Sequence, residues 1–216
     1  MSNEQMIWKL LMEGIGNPYG VAALMGNLMA ESSLNPLCKT GGKADIKKLS
    51  AAEYASRVQT GLISRDKFAH DGVAFGLAQW CYWSRKDALW VYADDNRMDI
   101  REVKTQIGYM LKEIRKYKTV WTALQEAKTV KEASDVVLLR YEKPANTSDA
   151  IKEKRAKYGE EYFTKYATFE KRMPLAEMVD ILQEVSEKKM TLAKRKEKLA
   201  PVISELQKQM KEAAKC

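Results

Sequence analysis

Apolar residues recur three and four positions apart along nearly the whole chain, which predicts a mainly helical protein. Met6 to Met12 is a short apolar run that Gly14 and Gly16 are expected to stop. Asn17-Pro18 pairs a capping side chain with a proline at the first turn, so a helix should start there. Its apolar stripe is Val21, Leu24, Met25, Leu28 and Met29, and Asn35-Pro36 should end it. Ser50-Ala-Ala-Glu53 reads as a capping box for a short helix closed by Gly61. Residues 62–83 have no helical period and hold glycines and aromatics, so a small sheet or hairpin belongs there. Helices are expected over roughly 84–95, 100–117, 119–127, 130–142 and 148–167. Thr129 to Glu132 forms a second capping box, and Pro144 is a stop.

The pattern changes at Pro174. Apolar positions then step along Leu175, Met178, Leu182 and Val185, and again along Leu192, Leu199, Ile203, Leu206, Met210 and Ala213. Lys189 and Lys196 interrupt that seam, and Pro201 should kink or break a single helix. The chain therefore divides into a body, 1–168, and a helical segment, 169–216, that reads as a coiled-coil or docking element, or as a hairpin folded on the body.

Composition narrows the class. Apolar residues make up 45% of the 216, enough for a core, and no apolar run approaches the roughly 20 residues of a membrane span. Lys and Arg number 37 against 29 acidic residues, a net +8 that favours anionic partners: nucleic acid, acidic lipid or the teichoic and phosphate-rich polymers of a bacterial wall. No zinc-finger, RNA-recognition or helix-turn-helix signature directs that charge to nucleic acid. The start, Met-Ser-Asn-Glu-Gln, lacks the basic and apolar stretches of a signal peptide, so synthesis in a cytoplasm and another exit route are expected. Three cysteines, Cys38, Cys81 and Cys216, show no metal-ligand spacing, and a reducing compartment suits them. His70 is the single histidine, which disfavours a histidine zinc site; neither a metal nor a cofactor is implied.

The candidate chemistry lies in two stretches. Gly26 to Pro36 places one acid, Glu31, in the last turn of an apolar helix. The negative end of the helix dipole and partial burial both disfavour its charged form, as a general acid near neutral pH requires. Ala74-Phe-Gly-Leu-Ala-Gln-Trp80, with Tyr82-Trp83, combines a glycine, an amide and flat rings suited to the apolar faces and polar edges of sugars. Asp71, just before that stretch, is the candidate second carboxylate, to activate water or balance oxocarbenium charge. It could equally be a loop aspartate satisfying backbone amides. Asp45 and Asp66 are weaker candidates.

Met25 to Pro36, Phe75 to Trp80 and Arg140-Tyr-Glu-Lys-Pro-Ala145, in that order, resemble the three recurring stretches of the phage tail lysozyme family. The resemblance spans roughly residues 4–167. It implies an α+β, predominantly helical, lysozyme-like fold with a small irregular or β region around residues 37–83. It also implies a glycoside hydrolase that cleaves peptidoglycan between N-acetylmuramic acid and N-acetylglucosamine. Glu31 falls on the family's catalytic acid, Gln79 and Trp80 on its cleft motif, and Tyr141 on a cleft aromatic. Asn27 and Ser32 would flank the acid, with Tyr82 and Trp83 completing the substrate set. The location implied is a phage tail, or the host cytoplasm before release, with action on the cell wall. Other tail proteins, or a second copy, would be partners for residues 175–214. A lytic transglycosylase giving 1,6-anhydro products is the alternative chemistry. A thiol amidase using Cys81 or Cys38 with His70 is another, and a non-enzymatic wall-binding or virion structural protein a third.

Overall fold

The computed structural model describes residues 2–167, 175–187 and 191–213. The chain divides into two compact units, Met1–Tyr166 and Ala167–Cys216.

The first unit is helical around one small antiparallel sheet. Its elements are α1 (Asn3–Ile15), α2 (Pro18–Ser32), β1 (Lys39–Gly41), α3 (Ala44–Lys47), α4 (Ala51–Gln59), α5 (Arg65–His70) and β2 (Val73–Phe75). There follow α6 (Trp83–Asp95), α7 (Val103–Ile114), α8 (Lys118–Gln125), α9 (Val130–Val137) and α10 (Asp149–Tyr162). Wide π turns, Leu138–Glu142 and Phe163–Ala167, extend α9 and α10. The strands pair Lys39 with Phe75 and Gly41 with Val73. This is the predominantly helical α+β architecture expected, with its sheet inside residues 37–83.

Capping explains most boundaries. Asn17 Oδ1 accepts from the amides of Tyr19 and Gly20, and Ser50, Ser64 and Thr129 cap α4, α5 and α9 through their hydroxyls. Two expectations change. The first helix runs through Gly14 and ends at Gly16 (φ 79°), because a helical glycine is only weakly unfavourable whereas a left-handed one suits a C-terminus. Residues 65–70 form a helix in the stretch that shows no helical period, because Ser64 caps it and Phe68 and Ala69 anchor it in the core.

Helix α2 runs through the middle of the unit, buried from Gly20 to Leu28. It crosses α10 closely at Gly26, where an added Cβ would lie 2.4 Å from the Arg155 carbonyl oxygen and 2.5 Å from the Gly159 nitrogen. That crossing sets Arg155 of α10 against the final turn of α2.

In the second unit, α11 (Leu175–Glu187) and α12 (Leu192–Ala213) pack on each other, with Lys198 ion-paired to Glu184. The second helix continues through Pro201 rather than breaking there. Met178, Val185 and Val202 are buried, whereas Leu182, Leu192, Ile203 and Leu206 are exposed. Pro174, Lys189 and Cys216 lie outside the described residues, as do the side chains of Leu175, Met210 and Ala213.

Candidate active site

Three segments converge at the end of α2. The first is that final turn, which carries Glu31. Its Oε1 accepts from Arg155 Nη2 at 2.6 Å, with both side chains largely buried. Glu31 is thus ion-paired rather than alone, a partner no local pattern announces, since 124 residues separate the two. Arg155 is aimed by Asn27, whose Oδ1 accepts from Nη1 at 3.2 Å. The Asn27 amide donates in turn to Ala23 O and to Ser134 Oγ, each at 3.0 Å. Asn27 is fully buried and acts on Glu31 through Arg155.

The second segment is the glycine loop, 75–80. Ser32 Oγ donates to Leu77 O at 2.8 Å and ties this loop to α2. Gly76 has φ 78°, and a Cβ there would lie 2.6 Å from Gln106 Oε1, which accepts from the Leu77 amide. Glycine at 76 is therefore required by both conformation and space. Gln79 also has positive φ, 45°, and its amide donates to Cys38 O and Gly76 O while accepting from Thr40 Oγ1. Its hydrogen-bonding capacity is largely used within the loop.

The third is the π turn Leu138–Glu142, closed by Lys143 N–H donating to Leu138 O at 2.8 Å. Such wide turns occur often at functional sites. Here the turn points Tyr141 inward and brings Glu142 close enough to feel the charge of Glu31. Tyr141 is 3% exposed and Trp80 is 0% exposed. The Tyr141 hydroxyl and the Trp80 indole N–H both donate to Glu113 Oε2, at 2.6 and 3.0 Å. Neither ring offers a face to a sugar; both brace the site from behind. Burial alone would raise the Glu113 carboxyl, but the two-pronged grip of Arg85, at 2.7 and 2.9 Å, holds it below the usual range.

Glu142 has no such support. Its Oε1 is buried without a hydrogen-bond partner, and among the described residues it forms no ion pair. Burial, then the like charge of Glu31, push its carboxyl up to about 8. Glu142 is not among the residues expected at the site, although it lies inside the third recurring stretch. Its signal was the motif itself, since nothing local distinguishes it from a surface glutamate.

Asp71 sits in a separate buried pair. It is buried, paired with Lys86 at 2.5 Å, and accepts from the Tyr54 hydroxyl at 2.6 Å and the Val73 amide at 2.9 Å. Burial lowers Lys86 below its ordinary value, against the pull of Asp71. Asp71 and Lys86 together anchor α4, α6 and β2. Asp45 pairs with Lys67, and Asp66 with His70, both at the surface.

The exposed rings of the expected set are Tyr82, 61% exposed, and Trp83, 49% exposed, the latter stacked on His70 at 5.7 Å. Burial and the charge of Glu31 push the Cys38 thiol up, away from the thiolate a nucleophile needs. Arg140, within the π turn, and Lys143, just after it, line a groove with Tyr117 and Lys118. No group of three potential metal-binding side chains occurs among the described residues.

A family model described as phage tail lysozyme matches residues 2–166. No curated protein and no solved structure matches the chain.

Proposed function

Because the chain belongs to the phage tail lysozyme family, with a lysozyme-like role in breaking down peptidoglycan, we propose that it hydrolyses the β-1,4 bond between N-acetylmuramic acid and N-acetylglucosamine, with Glu31 as general acid. The observation that carries this reading is the largely buried Glu31–Arg155 pair at the end of α2, beside the glycine loop that Ser32 ties to that helix. A glycosidic bond breaks when the leaving oxygen receives a proton while charge grows on the anomeric carbon. Glu31 is placed to give that proton and Arg155 to hold the carboxylate that remains. Tyr82 and Trp83 supply exposed rings for sugar faces. The cationic groove of Lys118, Arg140 and Lys143 suits the acidic groups of the wall. Asp71, whose lone pairs go to Lys86, Tyr54 and Val73, is assigned a structural role.

The test is fragment analysis of purified peptidoglycan treated with the protein and with Glu31→Gln. Gln keeps the shape but carries no acidic proton, so a loss on the order of a hundredfold is expected. Reducing N-acetylmuramic ends mark hydrolysis and 1,6-anhydro ends mark a transglycosylase. Released peptides with intact glycan, unaffected by the substitution, would refute the reading.

The 175–214 segment is proposed to dock the enzyme on other tail proteins or on a second copy, a reading supported by exposed Leu182, Ile203 and Leu206. A chain shortened to Met173 should then lose assembly or self-association while keeping wall activity. Unchanged assembly and hydrodynamic behaviour would end that idea.

A further inference from the structure

We propose that the cavity between the C-terminal ends of α4 and α6 is a second carbohydrate site, which takes an N-acetylated sugar of the wall glycan away from the active site. The inference rests on the glycosidase reading above for the identity of the polymer. It adds a place where that polymer is held without being cut.

The cavity encloses about 440 Å³, within the range of about 300–1,000 Å³ found for small-molecule sites. None of the residues that line it belongs to the three segments around Glu31. Its apolar floor is Val58, Ala93 and Ile100, all buried. Around that floor stand Gln59, Trp90, Asp94 and Arg97. The Gln59 Oε1 accepts from the Ile100 amide at 2.9 Å, which ties the loop after α6 to α4. Its Nε2 has no acceptor among the described residues, and neither has the Trp90 indole N–H. Arg65, itself paired with Asp87, lies 5.5 Å from the Trp90 ring centre and braces that ring. Asp94 and Arg97 form no ion pair and no side-chain hydrogen bond among the described residues.

Arg97 is the residue that points to a ligand. Helix α6 ends in a Schellman turn, in which the Arg97 N–H donates to Asp94 O at 3.0 Å and the Met98 N–H to Ala93 O at 2.8 Å. The turn needs a left-handed residue at 97, where glycine is the usual choice, yet Arg97 occupies it at φ 53°. A side chain in that conformation costs backbone free energy, and such strain collects at ligand sites. No contact of the guanidinium with the described residues offsets that cost. An acetamido group fits what the cavity offers: its methyl needs an apolar surface, its carbonyl a donor and its N–H an acceptor. The floor supplies the first, Arg97 and Gln59 Nε2 the second, and Asp94 the third. The wall glycan carries this group on every ring. A second contact on the same polymer makes each return to the active site an intramolecular event, at high effective concentration.

The experiment is a titration of the protein with tri-N-acetylchitotriose and with cellotriose, which has the same linkage and no acetamido group. NMR follows the indole N–H and arginine Nε–H signals, with Trp90→Phe and Arg97→Gly assigning the two of interest. The Trp90 and Arg97 signals should move saturably with the acetylated trimer and stay still with cellotriose. In Arg97→Gly the dissociation constant read at Trp90 should rise about tenfold or more, as expected for losing a hydrogen bond from a charged donor. Its melting temperature should hold or rise, because glycine suits residue 97. Equal movement with both trimers, still signals at Trp90 and Arg97, unchanged affinity in Arg97→Gly, or a lowered melting temperature in that variant would each overturn the proposal. Fragment release lost in Glu31→Gln judges the glycosidase reading separately, so movement confined to Trp83 would end this proposal and leave that reading intact.

Discussion

Replacing Glu142 by glutamine should change the stability of the fold in a way that depends on pH. In the native protein the Glu142 carboxyl is raised from 4.5 to about 8. A carboxyl raised by folding contributes stability that is complete below its unfolded value and is lost as pH climbs through its folded value. The native protein should therefore weaken between about pH 4.5 and 8 through this group. At 1.36 kcal/mol per pH unit, the gap of about 3.5 units corresponds to a ceiling of about 5 kcal/mol. The realised loss is smaller to the extent that Arg85 and Arg155 turn toward the newly charged group. Glutamine is neutral throughout, so Glu142→Gln should track the native protein near pH 5 and exceed it near pH 8.5. A surplus of 2–5 kcal/mol corresponds to a rise of about 4–20 °C in melting temperature for a domain of this size. Urea or thermal unfolding of both proteins at half-unit steps from pH 5 to 9 measures the difference directly, since groups that do not interact with Glu142 contribute equally to both. A difference that stays flat across that range, whatever its size, would refute the raised Glu142 carboxyl.

Asp71→Asn leaves Lys86 buried without a counter-charge and should cost about 3–5 kcal/mol of stability, read by chemical denaturation. Its activity per folded molecule, assayed well below the new melting temperature, should stay within about twofold; a hundredfold loss would bring Asp71 back into the chemistry. Cys38→Ser and Cys81→Ser should each retain nearly full release of wall fragments, and abolition by either would favour a thiol mechanism.

Much of this protein was legible along the chain because the relevant signals are local. Asn17, Ser50 and Thr129 cap helices through amides two or three residues away, so their helices begin where the capping residues stand. The Gly26 to Pro36 and Phe75 to Trp80 stretches resemble the phage tail lysozyme family by residue order, and the family match over residues 2–166 contains both. What lay beyond reach was long-range pairing. Whether Trp80 faces a sugar or the core depends on Glu113, 33 residues away, and the fate of Asp71 depends on Lys86, 15 residues away. The helix at 65–70 was masked because its anchors, Phe68 and Ala69, are too few to display a period.

The amino-acid sequence by itself determined the helical class, most helix starts and the segments that matter, since capping, turn chemistry and apolar period act over a few residues. Tertiary structure alone decided which partner each carboxyl has. Arg155 reaches Glu31 because Gly26 and Gly159 let α2 and α10 approach closely, and Arg85 is spent on Glu113. Glu142 keeps a buried Oε1 with no hydrogen-bond partner and, among the described residues, no ion pair. Protonation follows from the sum of charges in a low-dielectric space, and that sum exists only once five side chains from distant parts of the chain have been brought together.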